Sequence, residues 1–287
     1  MLALNVNNEY ARLRAVLFGT AQSNGPIPID ENCYDPSSLT HVLAGTYPTE
    51  SDMQNEMSSV MAVFHKYDVS VFRPSLIENC NQIFARDIAF VIDNKFIKSN
   101  ILPDRANEYQ ALGTLLAEIN SEHIIELPED CHVEGGDVIL CDDYIFIGVY
   151  SGLDYPDYIT ARTNLNAAKA IQELFPQKNV KTFELRKSNT VAKDNALHLD
   201  CCFQPVGKNK AILPYSVSMT EWESQRNLPI IFKTEDKWEI LRAHKIASEF
   251  KTEFLYIGSG NEYAIAKELK SKGVKVVLPL VFPEAYD

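Results

Sequence analysis

The chain has 287 residues, enough for one large domain or two modest ones. Apolar residues make up 46% and charged residues 23%, and a formal net charge of −12 with no evident basic face argues against nucleic acid as a partner. This acidic balance is compatible with a small cationic substrate. Residues 1–8 carry neither the basic region nor the apolar core of a signal peptide. No apolar run approaches the ~20 residues that span a bilayer, so a cytoplasmic protein with no membrane partner is expected. The cysteines are Cys33, Cys80, Cys131, Cys141, Cys201 and Cys202; none forms a Cys-x-x-Cys pair, and reduced thiols are expected. Neither His-x-His, nor His-Glu-x-x-His, nor a glycine-rich phosphate loop occurs, so no metal and no cofactor is predicted.

In chain order, residues 9–19 read as a first strand. Residues 20–50, rich in Pro, Asn, Ser and Asp, read as a long loop with at most a short helix, either a lid or a surface insertion. Residues 49–66 predict a helix with Thr49 and Ser51 as candidate caps. Its stripe of Met53, Met57, Val60, Met61 and Phe64 reads as core. A strand follows at 69–74. A helix over 104–119, capped by Asp104, buries Tyr109, Leu112, Leu115, Leu116 and Ile119. A strand is expected at 124–127 and a third helix at 158–174, with Ala161, Leu165, Ala168 and Ile171 inward. Arg162 reads as a solvated arginine on that helix rather than a partner for a substrate carboxylate. A strand at 180–185 and a polar loop lead to residues 195–204, which read as another strand. Alternation along it points His198, Asp200 and Cys202 to one side.

Three stretches share one build. Arg86-Asp87, Glu134-Gly135-Gly136-Asp137 and His198-Leu199-Asp200 each precede an apolar run, a short polar turn and a second run. These predict three hairpins with carboxylates or a histidine at the start of each. Placed around an axis, the repeats would bring Asp87, Glu134, His198 and Asp200 into one acidic pocket. Such a pocket suits a planar cation held by paired carboxylates.

These motifs resemble those of the guanidino-group modifying enzymes: arginine deiminase, dimethylarginine hydrolase and the amidinotransferases. The resemblance spans roughly residues 1–213 and implies an α/β propeller of ββαβ modules, the pentein fold. It implies that Asp87 and Asp200 grip a substrate guanidinium, that Glu134 pairs with it or orients the histidine, and that His198 does acid/base work. It also implies that a cysteine near the chain end attacks the guanidinium carbon of a small cationic, arginine-like substrate, as a hydrolase or an amidinotransferase. No cysteine follows Cys202. Four residues of strand would hold Cys202 roughly 13 Å from His198, so it is a poor replacement nucleophile.

After Leu213 the pattern changes to apolar strands alternating with helices at 227–232, 234–251, 254–258, 261–272 and 274–279. This predicts a parallel βαβαβ fragment. Lys233-Thr234-Glu235-Asp236-Lys237-Trp238-Glu239-Ile240-Leu241-Arg242 and Gly258-Ser259-Gly260-Asn261-Glu262-Tyr263 make residues 221–287 resemble part of the barrel of imidazolonepropionase-type amidohydrolases, without that family's metal-ligand motif. The expected organisation is therefore an incomplete propeller over 1–213 with its last module missing, followed by an α/β fragment over 221–287. The apolar faces of that fragment predict self-association. Two further readings stand beside thiol chemistry. One is a guanidinium-binding protein without turnover, truncated or fused; the other is a metal-dependent amidohydrolase.

Overall fold

The computed structural model describes residues 1–30, 33–207, 210–213, 230–234, 237–249, 254–260 and 262–277. Its contacts divide into two compact units, Met1–Cys201 and Cys202–Asp287. The architecture is mixed α/β, and the same ββαβ alternation recurs in it.

The first unit begins with strand β1 (Ala15–Leu17), shorter than the sequence suggests, paired in parallel with β2 (Ser70–Phe72). Two helices connect them. In α1 (Pro36–Leu43) the Asp35 side chain accepts the first N–H groups, from Ser37 and Ser38. In α2 (Glu50–Lys66) Thr49 and Asp52 form a reciprocal capping box. The stripe of α2 is only partly core: Met57 is buried, Met53, Met61 and Phe64 are half-buried, and Val60 is 41% exposed.

Two complete ββαβ units follow. In the first, a helical turn α3 (Ala85–Ile88) leads into β3 (Ala89–Ile92) and β4 (Lys95–Lys98). The chain returns through a 3₁₀ segment, Pro103–Leu112, and α4 (Gly113–Leu116) to β5 (Ile124–Glu126), parallel to β4. The continuous helix expected over 104–119 does not form. Asp104 is not its cap, because its carboxylate takes the Tyr34 hydroxyl at 2.8 Å. Gly113 sits where the winding changes, at a cost of about 1 kcal/mol relative to alanine inside a helix. In the second unit, the 3₁₀ turn Gly135–Asp137 leads into β6 (Val138–Cys141) and β7 (Tyr144–Val149). Helix α5 (Leu165–Leu174), capped by Asn164, then crosses to β8 (Asn179–Glu184), parallel to β7. Asp93 and Asp142 turn the two hairpins in the left-handed region that aspartate tolerates. Ile92, Ile97, Val133, Ile145, Ile147 and Ile171 are sealed in the core beneath these hairpins.

The second unit is a sheet of order β13-β12-β11-β10-β9. Its strands are β9 (Gln204–Gly207), β10 (Lys210–Leu213), β11 (Ile230–Lys233), β12 (Phe254–Ile257) and β13 (Lys275–Val277). Helices α6 (Lys237–Glu249) and α7 (Ala266–Ser271) complete it, and Phe232, Ile240, Ala243, Phe254, Tyr256 and Leu269 form its core. The alternating parallel strands expected for the tail are present. The break expected after Leu213 is not a break in the sheet. Residues 211–213 of β10 pair in parallel with residues 230–232 of β11, so the hairpin edge is covered by the tail. The contact division falls earlier, between Cys201 and Cys202. The joining stretch 214–226, the strand start at Leu228 and the strand end at 278–279 lie outside the described residues. No helix among the described residues is long and apolar enough to cross a membrane.

Candidate functional site

Each motif sits on a single helical turn. Asp87 lies in α3, Glu134 immediately precedes the 3₁₀ turn Gly135–Asp137, and Asp200 lies in the 3₁₀ turn Leu199–Cys201. The strand expected at 195–204 is therefore replaced by a turn, and β9 starts only at Gln204. The cause is a side chain from another unit of the repeat. Asp137, buried beneath the second hairpin, accepts the Leu199 N–H at 2.9 Å and the Thr163 hydroxyl at 2.6 Å. A backbone donor committed to that carboxylate is not available to a ladder. The paired glycines allow the turns to close on one another. A Cβ at Gly136 would stand 2.8 Å from the His198 ring, and one at Gly135 would collide with the Arg86 carbonyl.

The turns bring Asp87, Glu134 and His198 together, all buried, with their ligating atoms within 4.8 Å of one another. His198 Nε2 bonds Glu134 Oε2 at 2.8 Å, and His198 Nδ1 lies 3.9 Å from Asp87 Oδ1. Arg162 donates to both Glu134 oxygens from Nη1, at 3.0 and 3.1 Å. Arg105 donates from Nη1 to Asp87 Oδ2 at 2.9 Å and holds Glu108 with two nitrogens, at 2.7 and 3.1 Å. Asp200 completes the group, 3.6 Å from Arg86 Nε. The loop between β1 and α2 reaches the same place, where the Tyr34 carbonyl accepts from Arg162 at 3.5 Å.

Burial alone would favour the neutral forms of both His198 and Glu134. For His198 that effect is outweighed by the Glu134 bond and the charges of Asp137, Asp87 and Glu134, which raise its pKa to about 9. For Glu134, the bond from His198 and the charges of Arg162, His198 and Arg105 win, lowering it to about 2. The pair is thus charged at neutral pH, and His198 is equipped to donate a proton rather than accept one. Burial dominates at Asp137, pushed up to about 6, and raises Asp200 and Glu108 as well.

Three of the four residues expected from the motifs therefore meet in one buried cluster, with Asp200 at its side. Arg162, expected in solvent, is only 5% exposed and serves as counter-ion to Glu134. Arg105 and Glu108 were not singled out from the sequence. Their spacing of three on a turn was the available signal, since it places opposite charges side by side. A metal-competent arrangement was equally hidden, because its ligands come from three separate motifs. Among the described residues this cluster contains no cysteine. Cys201 is exposed and donates to Asp200 Oδ1 at 3.7 Å, and Cys202 belongs to the second unit.

No protein-family model matches the chain. An uncharacterised protein of Bacillus subtilis, YkgA, is 29% identical over 133 residues, which span 46% of this chain and 40% of that relative's length. The fold is shared with several solved structures. SxtG, an amidinotransferase from Microseira wollei, superposes with a TM-score of 0.62 at 17% identity, over 81% of this chain and 76% of that one. The inosamine-phosphate amidinotransferase of Streptomyces griseus gives 0.57 at 15% identity, over 96% and 91%. DDAH from Pseudomonas aeruginosa, complexed with citrulline, gives 0.52 at 14% identity, over 76% and 85%. At these identities the likeness is one of fold.

Proposed function

We propose that this chain binds a small guanidinium or amidinium cation, without cysteine attack, between Asp87 and Asp200. One observation carries the reading. Glu134 is saturated by Arg162 and His198, whereas Asp87 Oδ1 and the Asp200 carboxylate take no hydrogen bond from an arginine among the described residues. Two acceptor carboxylates suit a planar cation with several N–H donors, their negative charge outweighing the nearby imidazolium. The cluster already handles such groups, since Arg105 is held by Asp87 and Glu108 in that manner. The charges agree: Glu9, Asp87, Glu108, Glu134, Asp137 and Asp200 outnumber Arg86, Arg105, Arg162, Lys187 and protonated His198 by one.

The shared fold supports the substrate class, because it occurs in amidinotransferases, an arginine dihydrolase and dimethylarginine dimethylaminohydrolase. A pentein-type propeller of ββαβ modules is part of the same proposal. Thiol attack has the weaker support, because no cysteine belongs to the cluster among the described residues. The tail has no separate activity in this reading, and β11 to β13 extend the third hairpin's sheet. Calorimetry with L-arginine tests the proposal. Binding should be lost in Asp87→Asn, each buried charge-assisted bond contributing about 1.5–3 kcal/mol. Equal heats from wild type and Asp87→Asn overturn it.

The metal-centre alternative is favoured by the 4.8 Å grouping of two carboxylates and an imidazole, a donor set suited to zinc or manganese. An ion there would have to displace the His198 proton and compete with Arg105 and Arg162. Titration with zinc chloride distinguishes it. A metal site binds more tightly at pH 9 than at pH 6, releases a proton, and disappears in His198→Gln. Heats that survive His198→Gln exclude it.

A further inference from the structure

The N-terminal segment reaches the cluster through one side chain. Residues 6 and 8 form bridges to Asp93 and Cys141, so the segment runs across the turn ends of both hairpins. Glu9 lies next along it, and its Oε1 accepts the Leu140 N–H at 3.1 Å. The same carboxylate takes both terminal nitrogens of Arg86, Nη1 at 3.3 Å and Nη2 at 3.2 Å. Arg86 Nη2 also donates to the Val138 carbonyl at 2.8 Å. Both terminal nitrogens of this guanidinium are engaged, and Nε lies 3.6 Å from Asp200. That distance is beyond a good charge-assisted bond.

We propose that Glu9 is a positioning residue: by clamping Arg86 it holds the guanidinium near enough to share charge with Asp200 but too far to consume its acceptor oxygens. The inference rests on Asp200 being one of the two carboxylates that take the ligand. Without the clamp, Arg86 would rotate its fork onto Asp200 and form the bidentate pair that arginine and carboxylate prefer. The internal guanidinium would then compete with the incoming one. Without Arg86 there is no internal guanidinium to compete, so loss of the clamp has nothing to release onto Asp200.

Glu9→Gln is the informative variant, since its amide oxygen can still accept from Leu140 and keep the segment in place while the charge is lost. L-arginine affinity, measured by calorimetry, should fall about tenfold in Glu9→Gln and recover in the Glu9→Gln/Arg86→Gln double variant, where no internal guanidinium is left to compete. A purely structural role for Glu9 would leave the double variant as weak as Glu9→Gln. If wild type binds arginine and Asp200→Asn does not, unchanged affinity in Glu9→Gln, or no recovery in the double variant, overturns the clamp and leaves the ligand site standing. If wild type does not bind arginine, the ligand site fails and the clamp with it. Should the double variant not fold, unchanged affinity in Glu9→Gln is sufficient to refute the clamp.

Discussion

Replacing Glu134 by glutamine keeps the shape of the side chain and removes its charge. The residue is fully buried and accepts from Arg162 twice, at 3.0 and 3.1 Å, and bonds His198 at 2.8 Å, with Arg105 Nη1 at 3.8 Å. Removing one member of a buried ion pair costs roughly 3–5 kcal/mol, because the partner charge stays buried and uncompensated. Here the partners differ in how they respond. Arg162 cannot lose its proton and is left with neutral acceptors in place of its counter-charge: the Ile159 carbonyl, a long contact to the Tyr34 carbonyl and the glutamine oxygen. His198 can lose its proton, since burial would then act against its charge with less opposition, and this recovers part of the cost. The lower end is therefore expected, about 3 kcal/mol, or roughly 6–12 °C in melting temperature at ~2–4 °C per kcal/mol for a unit of this size. Thermal unfolding followed by circular dichroism at pH 6 measures the loss, and NMR titration of the imidazole measures the proton affinity. A melting point within about 2 °C of wild type, together with a His198 titration still near 9, would refute the view that Glu134 organises the cluster.

Global stability should depend on pH through the same pair. His198 is raised from 6.5 to about 9, so its contribution is complete below pH 6.5 and is lost as pH climbs through 9. The size is on the order of 3 kcal/mol at ~1.4 kcal/mol per tenfold change in proton affinity. Urea midpoints at pH 6 and pH 10 should differ accordingly in wild type but not in His198→Gln; equal wild-type midpoints would exclude the coupling. Glu134, lowered to about 2, contributes above pH 4.5, and that part disappears as pH falls toward 2, which acid titration of the melting point should reveal. Gly136→Ala places a methyl against the His198 ring and should cost about 1–3 kcal/mol through overpacking while abolishing arginine binding; a variant that melts and binds like wild type would show that the ring has room to move.

What the sequence determined by itself was local. The apolar runs and polar turns of the two hairpins, the Thr49 cap of α2 and the parallel strands of the tail all follow from near-neighbour chemistry, and all are found. The motif acids and His198 were legible for the same reason: each belongs to a short pattern repeated before a hairpin. Tertiary structure decided whatever needed a partner from afar. Residues 198–201 turn instead of extending because the Asp137 carboxylate, 62 residues earlier, takes the Leu199 N–H. Arg162 is buried because Glu134, 28 residues away, supplies the charge that makes burial tolerable. The strand at 210–213 finds its neighbour at 230–233, which local pattern cannot announce, and so the expected boundary after Leu213 became the middle of a sheet. Periodicity reports which face of an element is apolar. It carries no information about which distant carboxylate, guanidinium or strand edge will meet that element, and in this chain those meetings build the cluster.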